Sequence, residues 1–338
     1  MYNAQIKTHV LRFKKPANTS RNTFLERTIY IVSVSDGWGN VGVGECAPLS
    51  LLSVDDLPNY FDILEEEVNH YCVNGEIEAD RLKRYPSIQF GLEMIHAQLH
   101  EGREWVWFDT EFTKGKPIPI NGLVWMNDTE TMLQEALTKV KQGFTCMKFK
   151  VGALDFDEEC RMLERFRRKA PASSVQIRLD ANGGFEPKET AEQLKELSRF
   201  TIHSIEQPIG VNQWDDMARL CREAAIDIAL DEELIGRDVH SEGESMLDEL
   251  KPAYIILKPN LIGGFGYSDA WIKLAESKSI GWWATSALES NLGLSAIAQW
   301  VAKYPIKMPQ GLGTGSLYEN NVEVPIAVEA PYVKYQLP

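Results

Sequence analysis

Positive charge is in short supply in this chain. Its 35 lysines and arginines stand against 49 aspartates and glutamates, leaving a net charge of −14. Nucleic acid is therefore excluded as a partner, because its binding is driven mainly by neutralising phosphates. An anionic small molecule would need a local cluster of cations set against the global field. Cysteine is sparse and unpatterned: Cys46, Cys72, Cys146, Cys160 and Cys221 are odd in number and show no Cys-x-x-Cys spacing. That argues against a disulfide framework or a zinc site and for buried thiols. No apolar run reaches the ~18 residues of a membrane helix, and no secretion signal precedes the first strand-like segment. A cytoplasmic location is expected, with no membrane partner. At 338 residues the chain can hold one large domain or two ordinary ones.

What the chain does have is a row of charged residues at strand ends. In Phe144-Thr-Cys-Met-Lys-Phe-Lys-Val-Gly152, residues two apart on a strand point to the same side. Lys148 and Lys150 thus share one face, and Met147, Phe149 and Val151 the other. Two ammonium groups facing into a sheet are costly unless anions meet them there. Three further strand-like runs end in carboxylates, at Asp180, Glu206 and Asp231, and a fourth ends at Lys258. The intervals from Lys150 onward are 30, 26, 25 and 27 residues, each about one βα unit. In a parallel barrel all those ends converge on one mouth, where barrel enzymes do their chemistry.

The rest of the chain supports that architecture. Residues 1–13 read as a strand, followed by a polar, irregular Lys14–Asn22 connection. Thr28–Val34 and Val41–Glu45 read as a hairpin around Asp36-Gly-Trp-Gly-Asn40. In Ser87–His100 the residues Ile88, Leu92, Ile95 and Leu99 fall on one helical face. His96 and His100, four apart there, lack a third ligand and are read as surface residues. From Ile118 the rhythm becomes βαβα: a strand over Ile118–Trp125 and helices near 127–142, 156–169, 187–199, 213–224, 241–249, 266–278 and 291–303. A last strand is expected near Lys307–Gln310. The fold class is α/β, a modified TIM barrel (β/α)7β spanning residues 116–316. An α+β capping domain of residues 1–115 would receive the tail 317–338. Lys14–Asn22 and Pro48-Leu-Ser-Leu-Leu52 are candidates to close over the mouth.

Three carboxylates without histidine or thiolate suit a hard divalent cation, Mg²⁺ or Mn²⁺. Lysine becomes a base near neutrality only if its pKa falls far below ~10.4. A second ammonium about 4 Å away contributes roughly 4 kcal/mol at an effective dielectric of ~20. The chemistry implied is proton abstraction α to a carboxylate, with the enediolate stabilised by the cation and by Lys258.

In order, Lys148-x-Lys150, Asp180-Ala-Asn182, Glu206-Gln-Pro208, Asp231-Glu232 and Lys258-Pro-Asn260 resemble the enolase superfamily and its muconate-lactonizing branch. Pro119-Ile-Asn-Gly-Leu-Val-Trp125 and Gly311-Leu-Gly-Thr-Gly315 are most similar to its o-succinylbenzoate synthases. The resemblance implies syn dehydration of the cyclohexadiene carboxylate SHCHC. Lys150 would be the base, Lys258 the electrostatic partner, Lys148 a further catalytic-site lysine, and Asp180, Glu206 and Asp231 the metal ligands. Asn182, Ser286, Gly311 and Gly313 would hold the succinyl end, and Arg178 would support Asp180 from behind. The partner implied is a small-molecule carboxylate, with the oligomeric state left open. N-acylamino-acid racemases and dipeptide epimerases share the lysine pair and remain alternatives, as do muconate cycloisomerisation and a non-catalytic binding barrel. Gly313-Thr-Gly315 departs from the acidic Asp-x-Asp of the dipeptide epimerases.

Overall fold

Alternating apolar residues on one face build an opening antiparallel sheet. In the computed structural model, which describes residues 2–18 and 23–337, β1 (Asn3–Asn18), β2 (Thr23–Ser35) and β3 (Val41–Cys46) pair in that order. The β2–β3 turn is held by the Asp36 carboxylate, which accepts the N–H groups of Trp38 and Asn40 at 2.7 and 3.1 Å. Three helices follow: α1 (Tyr60–Asn74), α2 (Ala79–Leu82) and α3 (Pro86–Glu101). Ile88, Leu92 and Ile95 of α3 pack into one cluster with Val32 and Val34. The helix crosses β3 so closely that a Cβ on Gly44 would stand 2.0 Å from the Gly91 carbonyl oxygen, so only glycine fits.

The barrel is laid down in chain order. After β4 (Ile118–Pro119) come β5 (Gly122–Val124), α4 (Thr129–Lys141), β6 (Cys146–Lys150), α5 (Phe156–Lys169), β7 (Gln176–Asp180) and α6 (Pro187–Leu197). Then follow β8 (Ile202–Glu206), α7 (Trp214–Glu223), β9 (Asp227–Leu230), α8 (Glu244–Leu250), β10 (Tyr254–Leu257), the single turn α9 (Pro259–Ile262), α10 (Gly264–Ser277), β11 (Gly281–Ala284) and α11 (Asn291–Val301). Strands β5 to β11 form one parallel sheet in sequence order. Gln310 and Gly311 close it, pairing in parallel with Ile120 on one side and Thr285 on the other. The fold is thus the expected (β/α)7β barrel beside an antiparallel unit. Among the described residues, no helix is long and apolar enough to cross a membrane.

Three segments differ from the sequence expectation. The strand does not end at residue 13: β1 runs on to Asn18, with a bulge between Arg12 and Ala17. There the backbone turns to the tail instead, Lys14 N–H donating to Leu317 O and Glu319 N–H to Arg12 O, both at 2.9 Å. Residues 19–22 of the expected connection lie outside the described residues. Ile118–Trp125 is two strands, because β4 pairs with the tail strand β13 (Tyr332–Tyr335), itself the hairpin partner of β12 (Ile326–Glu329). The eighth barrel strand shrinks to Gln310–Gly311, since Pro309 has no N–H to extend the ladder.

Candidate active site

Parallel register brings the charged strand ends together. Lys148 pairs with Arg178, Lys150 with Asp180, and Asp180 with Glu206. Lys148 Nζ lies 2.7 Å from Asp180 Oδ2 and 2.5 Å from Glu206 Oε2. Lys150 Nζ lies 2.7 Å from the same Asp180 Oδ2 and donates to Asn182 Oδ1 at 2.7 Å. On the far side of the carboxylates, Lys258 Nζ reaches Asp231 Oδ2 at 2.5 Å. The three lysines and the three carboxylate residues are all buried.

The electrostatics follow from that packing. Burial would lower the Lys148 pKa, but Asp180, Glu206 and Asp231 outweigh it and hold the ammonium above the ordinary lysine range. Lys258 is raised in the same way, burial being overcome by Asp231 and Glu232. Burial would raise Asp180, yet Lys148, Lys150 and Lys258 together hold its carboxyl well below the usual range. Glu206 goes the other way, pushed up to about 7 by burial, Lys148 being insufficient against Asp180 and Asp231. The charge of Lys148 is therefore directed at two carboxylates, the anions that the strand pattern called for.

The three carboxylates each offer an oxygen within 4.8 Å of the others. They are the one such group of possible metal ligands among the described residues. Glu206 Oε1 is buried with no hydrogen-bond partner, a cost of about 1–3 kcal/mol unless a cation meets it. The donor set is all oxygen and fits a hard divalent cation. His96 and His100 take no part; His96 Nδ1 sits 3.2 Å from the Tyr71 hydroxyl.

Asn182, two residues after Asp180, and Gln207, next after Glu206, adopt left-handed backbone with φ of 46° and 36°. Such residues cost on the order of 1–3 kcal/mol and persist where surroundings over-determine them. The Gln207 side chain accepts the N–H groups of Asp231 and Glu233, both at 3.3 Å, and donates to Ile209 O. It thereby fixes the start of the Asp231 loop. Asn182 donates its Nδ2 to Glu232 Oε1 at 3.0 Å, so its amide links Lys150 to the Asp231 loop.

A cavity of about 130 Å³ opens above the lysines. Its walls include Phe24, Leu49, Leu51, Leu52, Trp125 and Leu288, and Asn182, Ser286, Gly311 and Gly313 also line it. Of the capping candidates, Leu49–Leu52 thus reach the cavity. Ser286 Oγ is engaged by Glu289 at 2.5 Å and by Thr314 at 2.8 Å. Arg178 is fully buried, but its hydrogen bond goes to Pro309 O at 2.9 Å and its guanidinium stacks on Trp283 at 4.0 Å. It supports the barrel closure. Sequence reasoning passed over Arg27, Glu289 and Leu288, and it did not foresee the left-handed backbone of Leu51 and Leu288, both at φ 67°. Nothing local in the sequence marks a leucine for that conformation.

Comparison with known proteins agrees with this geometry. Residues 2–99 match the family described as MenC, N-terminal domain, and residues 131–336 match Enolase C-terminal domain-like. The o-succinylbenzoate synthase of Desulfotalea psychrophila is 41% identical, over 94% of this chain and 95% of that protein. The crystal structure of MenC from the same organism superposes with a TM-score of 0.85 at 37% identity, covering 98% and 99% of the two chains. The L-Ala-D/L-Glu epimerase of Bacillus subtilis, at 20% identity, shares the fold with a TM-score of 0.83, covering 98% of this chain and 95% of its own. Matched from end to end in this way, the chain belongs to the enolase superfamily and, within it, to the o-succinylbenzoate synthases.

Proposed function

We propose that the protein catalyses the metal-dependent syn dehydration of SHCHC, 2-succinyl-6-hydroxy-2,4-cyclohexadiene-1-carboxylate, to o-succinylbenzoate, a step of menaquinone biosynthesis. Asp180, Glu206 and Asp231 would hold Mg²⁺, or Mn²⁺ in its place. When bound, the cation supplies positive charge to a substrate carboxylate that gains a second negative charge, and it disfavours the charged form of nearby ammonium groups.

Lys150 takes the proton from the carbon α to the ring carboxylate, whose electrons move into an enediolate. Re-formation of the carboxylate expels the neighbouring hydroxyl, which takes the proton back from Lys150 and leaves as water. The Lys258 ammonium stabilises the enediolate by charge from the other side. Lys148 keeps Asp180 and Glu206 compensated and in place. Asn182 orients Lys150, and the apolar walls exclude water from the enediolate. Residues 116–316 form the catalytic barrel in this reading, capped by residues 1–115 with the tail from 317.

The observation that carries the proposal is the pair Lys150 and Lys258 bonded to opposite members of one buried carboxylate row. Gly313-Thr314-Gly315 offers no acid for a dipeptide ammonium, which favours the dehydratase over the epimerase. The test is incubation with SHCHC and Mg²⁺, following aromatisation in the ultraviolet, beside N-acyl amino acids and dipeptides. Turnover of SHCHC that stops in chelator is expected. Epimerisation of dipeptides without dehydration would overturn the reading.

A further inference from the structure

Two loops that line the cavity come from different parts of the chain. Leu49–Leu52 follows β3, and Ser286–Leu288 follows β11. Each carries one left-handed leucine facing the same cavity, Leu51 and Leu288. Both loops are held by one side chain outside it. Arg27, on β2 and only 5% exposed, donates through Nη2 to Ala47 O and through Nη1 to Ala287 O.

The partners of that strut are themselves fixed. Ala47 O also accepts Asn260 Nδ2 at 2.7 Å, just beyond Lys258. Ala287 N–H donates to Glu289 Oε2 at 2.8 Å, and the Tyr318 hydroxyl donates to Leu288 O at 2.6 Å. A buried guanidinium with two carbonyl partners is a rigid fork, and lysine cannot reproduce it. Its place therefore sets the distance between the two leucine-bearing walls.

We propose that Arg27 is a positioning and specificity-determining residue, which fixes the width of the cavity end that receives the substrate's flexible succinyl chain. The inference rests on the dehydratase reading and adds to it the group that shapes this end. Arg27 touches neither the lysines nor the carboxylates in the structure. Its loss acts on binding of the chain, not on proton transfer at the ring.

The experiment is steady-state kinetics of Arg27→Met, Arg27→Lys and Tyr318→Phe with SHCHC, each checked by circular dichroism for native folding. Arg27→Met should raise KM about tenfold while kcat stays within about threefold, the signature of lost uniform binding. Arg27→Lys should recover part of that loss. Tyr318→Phe, which removes the donor to Leu288 O and a side-chain partner of Arg27, should raise KM roughly threefold. If Arg27→Met does not fold, the two milder variants decide. Unchanged KM in both, or a fall in kcat alone, overturns the inference while leaving the dehydratase intact. Failure of the wild type to turn over SHCHC refutes the dehydratase reading itself, and this inference with it.

Discussion

Replacing Lys148 by methionine separates its structural charge from the roles proposed for Lys150 and Lys258. Its ammonium is buried 2.7 Å from Asp180 and 2.5 Å from Glu206. At an effective dielectric of ~20, each contact is an attraction of about 6 kcal/mol, offset in part by the cost of burying the ammonium. Breaking such a pair from one side typically destabilises by about 3–5 kcal/mol, because uncompensated carboxylates remain. With 338 residues, the unfolding entropy is about 0.7 kcal/mol per kelvin, so Tm in chelator should fall by about 4–7 °C. The measurement belongs at pH 8, above the value of about 7 to which the Glu206 carboxyl is pushed with Lys148 in place, so that the carboxylate is charged in the wild type. Saturating Mg²⁺ should raise Tm more in Lys148→Met than in the wild type, since a dication replaces the missing charge where it no longer competes with an ammonium. A variant as stable as the wild type in chelator, or equal metal shifts in both, would refute this account of the carboxylate row.

Other expectations follow from the same geometry. Lys150→Ala should abolish both dehydration and solvent exchange of the substrate α-proton, read by mass spectrometry in deuterium oxide. Lys258→Arg should retain measurable dehydration, because the charge survives, while any racemisation of N-acyl amino acids should cease; equal loss of both would remove the electrostatic assignment. Asp180→Asn, Glu206→Gln and Asp231→Asn should each weaken Mg²⁺ binding by calorimetry, and full binding in any of them would exclude that ligand. Burial raises the Glu93 carboxyl to about 7 against the hydrogen bonds it accepts from Gln89, Gly266 and Phe265. A raised carboxyl stabilises the fold fully below its ordinary value near 4.5 and loses that contribution as pH rises toward 7. Glu93→Gln should remove about 1.4 kcal/mol per pH unit from the stability slope in that window. Gln89, whose Oε1 has no partner, can turn its amide to accept the new N–H; an unchanged slope would count against the assignment.

The row of lysines and carboxylates was legible because strand side chains alternate and βα units have a narrow length range. Lys148, Lys150, Asp180, Glu206, Asp231 and Lys258 announce themselves by parity and interval alone. Pairings over long separations were not legible. The segment after Arg12 reads as a loop until Leu317 and Glu319 offer it backbone partners some 300 residues away. Arg178 shares a strand face with Asp180, yet its hydrogen bond goes to Pro309. Ser286 and Asn182 were visible as polar residues near the mouth. Their engagement with Glu289, Thr314, Lys150 and Glu232 depends on loop conformation that local sequence does not encode.

The two-residue closure at Gln310–Gly311 has a consequence for biosynthesis. A ribosome adds about 5–20 residues per second. From Val124 to Gln310 the nascent chain therefore carries the open edge of β5 for on the order of ten seconds or more, without the residues that seal it. The tail that pairs with β4 and with the stretch after Arg12 arrives later still. The native barrel can be completed only after residue 311 has been made. Truncation before residue 310 should leave two unpaired parallel edges and an insoluble product, however intact the lysines and carboxylates upstream.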